Sequence, residues 1–166
     1  MRVEFEYERG GALAYLAAWD VRRAKIFGQC SPTTGIEPFG GLVCDVMHRS
    51  PYREAKRVFW IVDNGSSHRG AAACQRLHSE FANLVLVHLP VHASWLNQIE
   101  IYFSVVERKA LTPNDFPNLS AVQQRLLNSQ SYYEQIARPF ERKFTRAVLA
   151  KLLAKLPSPA ATAQAA

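Results

Sequence analysis

Arg57-Val58-Phe59-Trp60-Ile61-Val62-Asp63-Asn64-Gly65-Ser66-Ser67 is the stretch on which the fold turns. Five consecutive apolar residues, cut off by a polar Asp/Asn/Gly/Ser cluster and flanked by helical segments, read as a buried strand of a parallel sheet. Residues 84–89 read as a second strand of the same kind, and residues 70–81 between them as a helix. The chain therefore belongs to the α/β class, with its sheet sandwiched by helices.

Upstream, residues 2–9 alternate polar and apolar side chains, the period of a strand with one wet face, and Glu4, Glu6 and Glu8 fall on that face. Gly10-Gly11 break the pattern. Residues 12–19 form a more continuously apolar strand, residues 21–24 a turn and residues 25–30 a third strand, which together make an antiparallel meander. Thr34-Gly35-Ile36-Glu37 has the spacing of a capping box, so a helix is expected from there to about His48, with Pro38 tolerated in its first turn. Downstream, residues 90–94 form a loop, and residues 95–111 carry Leu96, Ile99, Phe103 and Val106 at helical spacing. Past Pro113 and Pro117, helices are expected over 119–137 and 145–156, the second with a stripe of Val148, Leu149, Leu152, Leu153 and Leu156. Residues 157–166 are uncharged Ala/Pro/Ser sequence of the sort that frays.

Composition narrows the choice. At 166 residues, 48% hydrophobic and 20% charged, the chain can bury one core and is no disordered tail. Cys30, Cys44 and Cys74 are spaced like neither a disulfide framework nor zinc knuckles, and read as thiols in a reducing compartment. The longest apolar run, over residues 11–19, is too short to cross a bilayer, and the charged N-terminus is unlike a secretory signal. A cytoplasmic location and no membrane partner are expected. The net charge is +6, nearly all of it in residues 101–166: Arg108, Lys109, Arg125, Arg138, Arg142, Lys143, Arg146, Lys151 and Lys155. Such a field suits a polyanion; the alternative is an ordinary solvated helix surface.

Two carboxylates are candidates for chemistry. Asp63 ends a buried strand at the edge where α/β sheets bind ligands, although a cap for the next helix would look the same. Glu100 follows Ser94-Trp95-Leu96-Asn97-Gln98-Ile99, and Asn97, Glu100 and Ser104 share a helix face opposite Ile99, Phe103 and Val106. Read alone, a glutamate such as Glu100 is more often a surface helix residue. Should both carboxylates meet at one strand edge, they repel unless a cation lies between them, and hard oxygens select Mg²⁺ or Mn²⁺. His88 and His92 have helical spacing but are separated by Pro90, which argues against a zinc site.

Val62-Asp63-Asn64 with His68 five residues after the Asp, followed by Ser94-Trp95-Leu96-Asn97-Gln98-Ile99-Glu100, resembles the second and third acidic motifs of DDE transposases, in the mariner-type branch of bacterial insertion sequences. The 36 residues between Asp63 and Glu100 match that branch, as do Thr33-Thr34-Gly35-Ile36-Glu37-Pro38-Phe39, Thr112-Pro113-Asn114-Asp115-Phe116 and Pro139-Phe140-Glu141-Arg142-Lys143-Phe144-Thr145. The resemblance implies a ribonuclease-H-like, retroviral-integrase-like mixed sheet flanked by helices. It also implies cleavage and joining of double-stranded DNA at transposon ends by two Mg²⁺ or Mn²⁺ ions on three carboxylates.

By that resemblance Asp63 and Glu100 are catalytic metal ligands. Asn64, His68, Trp95 and Asn97 support them, and Arg108, Lys109, Arg142 and Lys143 follow the DNA backbone. His68 would orient a carboxylate, approach phosphate or serve structure alone; Trp95 would pack on DNA or anchor its loop. The family's first Asp, on the first strand upstream of residues 2–7, has no match here. Asp20 is a poor substitute, since it ends the second strand in the comparison.

The resemblance thus describes an N-terminally truncated catalytic fragment, lacking the first central strand and the DNA-reading helix-turn-helix, inactive alone and nucleoid-associated. The expected divisions are an incomplete core over 1–111, basic helices over 112–156 and a tail over 157–166. An alternative is a non-catalytic DNA-binding or regulatory protein that pairs with a second copy or with a full-length transposase. A phosphohydrolase using Asp63 as nucleophile is a third reading, without a Gly-rich phosphate loop to support it.

Overall fold

The computed structural model describes residues 11–91, 97–139, 147, 150, 151 and 154. In chain order they form β1 (Ala14–Asp20), β2 (Lys25–Ser31), α1 (Ile36–Met47), β3 (Val58–Val62), α2 (Gly70–Glu80), β4 (Leu84–His88), α3 (Ile99–Val106) continued by a π-helical turn (Glu107–Leu111), and α4 (Leu119–Ile136). The strand expected over 2–9 lies outside the described residues, as does most of the helix expected over 145–156. No helix among the described residues is long and apolar enough to cross a membrane.

β1 and β2 are a hairpin, paired antiparallel from Ala14↔Ser31 to Asp20↔Lys25. The Asp20 carboxylate organises its turn. One oxygen accepts from the backbone N–H groups of Arg22 and Arg23 at 3.0 Å each, and the other accepts from Arg23 Nη1 at 3.1 Å and Tyr52 Oη at 2.6 Å. An Asp side chain that binds backbone two and three residues on is a common turn device. Both its oxygens are committed here, which removes Asp20 as a substitute metal ligand.

The hairpin is the middle of three layers, because alternate side chains leave opposite faces of a strand. Leu16 and Ala18 pack into a first core made by Phe39, Leu42, Val43, Val46 and Met47 of α1 with Phe27, Tyr52, Val62, Leu77 and Leu84. Tyr15, Ala17 and Trp19 pack into a second core around Ile26, Tyr102, Val106, Ala110 and Leu126, so α3 and α4 cover the other side.

A polar chain crosses this second core. The Tyr15 hydroxyl donates to Gln130 Oε1 at 3.2 Å, and with its single proton so used it accepts from the Tyr102 hydroxyl at 3.0 Å. Burial, reinforced by Tyr102, pushes the Tyr15 hydroxyl well above the ordinary tyrosine range, so it stays neutral. Gly28 is required beneath it: a Cβ there would run into the Tyr15 hydroxyl and the Gln130 amide oxygen. Gly28→Ala is therefore expected to cost about 1–3 kcal/mol by overpacking. Urea unfolding checks this, and a variant as stable as the parent would mean the Tyr15 hydroxyl moves aside freely.

β3 and β4 pair in parallel, from Val58↔Leu84 to Val62↔His88, joined by α2. Val58, Trp60 and Leu86 face the first core. The reading of β3 as buried on both faces is corrected: Phe59 is 61% and Ile61 58% exposed, with Val87 opposite Ile61 at 40%. Helices cover one face of this pair, and no described element covers the other. The hairpin and the parallel pair are separate two-stranded ladders, and among the described residues they are joined by side-chain packing around α1 and by the Tyr52 hydroxyl on Asp20.

α1 also starts differently from expectation. Gly35, at φ 141°, is its N-cap, and no side-chain hydrogen bond caps the helix. Placing the cap at Gly35 instead of Thr34 moves Glu37 out of capping-box register. Pro38 falls in the first turn, where no intrahelical partner is lost, and its carbonyl accepts from Gln29 Nε2 at 2.6 Å.

Candidate active site

The parallel pair delivers Asp63. β3 and β4 stop at the same level, His88 lying opposite Val62, and their ends are tied by Leu89 N–H to the Val62 carbonyl at 2.9 Å and Asn64 Nδ2 to the Leu89 carbonyl at 2.8 Å. Asp63 follows immediately, in a loop that folds back on its own carboxylate. Oδ1 accepts from Gly65 N–H at 2.9 Å and from His68 Nε2 at 2.6 Å. On the far side of the His68 ring, Nδ1 lies 2.9 Å from Ser67 Oγ. Nε2 carries the proton that it gives to the carboxylate, and the Ser67 hydroxyl closes the other side of the ring.

Three further contacts hold the loop. The His68 ring lies 4.7 Å from the Phe39 ring, centroid to centroid. The His68 carbonyl accepts from His88 Nε2 at 2.7 Å, and the Ser67 carbonyl from Arg76 Nη2 at 3.0 Å. Gly65 leaves the room: a Cβ there would stand 2.9 Å from the His68 ring and 3.1 Å from Asp63 Oδ1. Partial burial pushes the Asp63 carboxyl up, but the Gly65 amide and the His68 ring outweigh it and hold it below the usual carboxylate range. The Asp63 side chain is 43% exposed, against 13% for His68, and Oδ2 carries no hydrogen bond among the described residues.

Glu100 sits in the first turn of α3, exposed, with its N–H bonded to the Asn97 carbonyl at 3.1 Å and its carbonyl accepting from Ser104 Oγ at 2.9 Å. Asn97 is half-buried beside it. Ile99, Phe103 and Val106 turn into the second core as their spacing predicts, together with Tyr102, which was not anticipated there. Arg108 and Lys109 are exposed on the π-helical turn, Arg108 Nε bonded to the Ser104 carbonyl at 3.1 Å. Trp95, Arg142 and Lys143 lie outside the described residues.

The structure thus brings Asp63, Asn64 and His68 together. Asn97 and Glu100 share the start of another element, one that packs on the second core. Sequence reasoning missed His88, Gly65 and Arg76. His88 was legible in principle, because two adjacent parallel strands of equal length end side by side; the Arg76 contact depends on the path of the loop and left no mark in the pattern.

The arrangement is that of an α/β protein presenting a carboxylate at the carboxyl end of a buried-face strand, the edge at which such sheets do their chemistry. A family model for the DDE superfamily endonuclease matches residues 1–123, which include both Asp63 and Glu100, and the chain belongs to that family. Comparisons with curated proteins and with solved structures return no match. The family acts on DNA, and its nucleases generally use divalent metals.

Asp63 fits such an ion: it is a hard oxygen donor held ionised on a partly exposed side chain, with one oxygen that carries no hydrogen bond among the described residues. Glu100 is a donor of the same kind. Among the described residues, no group of three or more His, Cys, Asp or Glu could hold a metal.

Proposed function

We propose that the chain is the catalytic-domain portion of a mariner-type insertion-sequence transposase with a ribonuclease-H-like fold, directed at cleavage and joining of double-stranded DNA. The observation that carries this reading is the Asp63 carboxylate, ionised and with no hydrogen bond to Oδ2 among the described residues, at the end of β3 in a chain of the DDE endonuclease family. Asp63 and Glu100 would hold Mg²⁺ or Mn²⁺, which when bound supplies positive charge at the scissile phosphate. Asn64 ties the end of β3 to β4, His68 orients Asp63, and Asn97 supports the first turn of α3. Arg108 and Lys109, with Arg142 and Lys143, would neutralise backbone phosphates, giving binding that is salt-sensitive and poor in base discrimination.

Strand transfer in this family's manner needs a third carboxylate, and none joins Asp63 among the described residues. The chain by itself is therefore expected to bind DNA and to cut it feebly or not at all. Mixing it with Mn²⁺ and supercoiled or transposon-end DNA tests this. Any nicking should disappear in Asp63→Ala and Glu100→Ala, and nicking that survives both changes would sink the assignment. Binding should fall steeply between 50 and 200 mM salt, on the order of tenfold or more for the phosphate contacts named here.

A second reading is favoured by the split sheet. β1 and β3 each pair on one side alone among the described residues, and unpaired strand edges are templates for another chain. In this reading the chain binds DNA without turnover and associates with a full-length transposase or with its own copy. DNA binding without nicking fits both readings; a stable complex with a second copy or with a full-length transposase in sedimentation, lost when a charge is placed on the β1 or β3 edge, supports this one over the first.

A further inference from the structure

We propose that His68 is the positioning residue of Asp63 and decides which carboxylate oxygen meets a divalent cation: Oδ1 is held by the imidazole, and Oδ2 is the coordinating atom. The inference rests on the reading of Asp63 as a metal ligand and adds to it a mode of binding.

Four observations converge on it. Oδ1 receives both donors of the loop, Gly65 N–H at 2.9 Å and His68 Nε2 at 2.6 Å, while Oδ2 receives none among the described residues. A carboxylate oxygen with two N–H donors has its lone pairs occupied in the carboxyl plane, so a cation approaches the other oxygen. The ring that holds Oδ1 is itself held. Its Nδ1 is hydrogen-bonded to Ser67 Oγ, it packs at a tilt 4.7 Å from the Phe39 ring, and the His68 carbonyl is bound by His88 Nε2 from the neighbouring strand. A carbonyl only accepts, so His88 must carry its proton on Nε2. Finally, Gly65 lets the ring and the carboxylate close on each other, since a Cβ there would stand 2.9 Å from the His68 ring and 3.1 Å from Asp63 Oδ1 and so press on both.

His68 does not stand as a ligand itself. Nε2, the ring nitrogen facing the carboxylate, is its donor, and Nδ1 is occupied by Ser67. Its effect on a cation therefore passes through Asp63. Partners that orient a ligand in this way are typically worth about 10–100-fold in metal affinity.

The test uses the full chain and Mn²⁺ alone, read by manganese-induced broadening of the NMR signals of residues 63–68 and by calorimetric titration. His68→Ala is expected to weaken manganese binding at Asp63 by roughly tenfold, and His68→Gln, whose amide N–H reaches about as far as Nε2, to recover much of the loss. In the metal-free parent, nitrogen shifts should report His68 as the Nε2–H tautomer, a readout that does not depend on metal and that a merely space-filling ring would not fix. Thermal unfolding of each variant separates lost affinity from lost fold.

If Asp63→Ala abolishes binding while His68→Ala binds as the parent does, the positioning role is overturned and the ligand reading stands. If Asp63→Ala leaves binding unchanged, or the parent shows no manganese effect near Asp63, the ligand reading falls and this inference falls with it.

Discussion

Leu42→Ala should lower the unfolding free energy by about 2–5 kcal/mol, the range for truncating a buried leucine in a packed core. Leu42 is 3% exposed on α1 and belongs to the core that touches both ladders. Among the described residues no backbone ladder crosses from the hairpin to the parallel pair, so the cavity opens in the side-chain layer that joins them. Domains of this kind have about 5–15 kcal/mol in hand, so one methyl-bearing branch on α1 is a large fraction of the whole. Urea unfolding followed by far-UV circular dichroism measures it. A loss under about 1 kcal/mol would mean that the core collapses around the gap, and that α1 is not the bridge described here.

Asp20→Ala should cost roughly 3 kcal/mol, since hydrogen bonds to a charged group contribute more than neutral ones and a buried partner is left unpaired. The partner is Tyr52, 8% exposed and packed edge-on against Phe27 in the first core. The same residue gives the fold a pH dependence whose sign is fixed. Burial raises the Asp20 carboxyl, but Tyr52, the Arg23 backbone and the Arg23 guanidinium together hold it below its ordinary value. A carboxyl with a lowered folded-state pKa stabilises fully above its unfolded value, and that contribution is lost as pH falls through the folded value. Asp63 acts in the same direction. The parent should therefore lose stability on acidification below about pH 4, and Asp20→Ala should show a shallower loss over that window. An unchanged acid limb in the variant would show that other carboxylates govern it.

Much of the architecture was legible because it is written in periodicity. The hairpin, α1, the parallel pair with α2 between its strands, and α4 all stand within a few residues of where alternation, apolar runs and helical stripes put them. What the pattern could not carry was coverage. Val58-Phe59-Trp60-Ile61-Val62 reads as buried on both faces because all five residues are apolar, yet burial depends on what lies above the strand, and for Phe59 and Ile61 no described element does. The start of α1 was missed for a local reason: a glycine at positive φ displaced the cap that Thr34 offered.

The site divides in the same way. The position of Asp63 at a strand end follows from the run that precedes it. The Asp63–His68 spacing stands in the sequence motif, but the contacts of Gly65 and Ser67 depend on the path of one loop, and the brace from His88 on strand register. Whether Asp63 and Glu100 act on one substrate is a matter of layer packing, and spacing along the chain does not specify it.

The seam between the ladders has a mechanical consequence. Asp63 is carried by the parallel pair, whereas Glu100 is carried by α3 on the far side of the hairpin. Among the described residues, their separation is set by side chains rather than by a shared rung of N–H···O contacts: the core around α1 and the Tyr52 hydroxyl on Asp20. A repacking of that layer would therefore retune the gap between the two acids without unzipping either half.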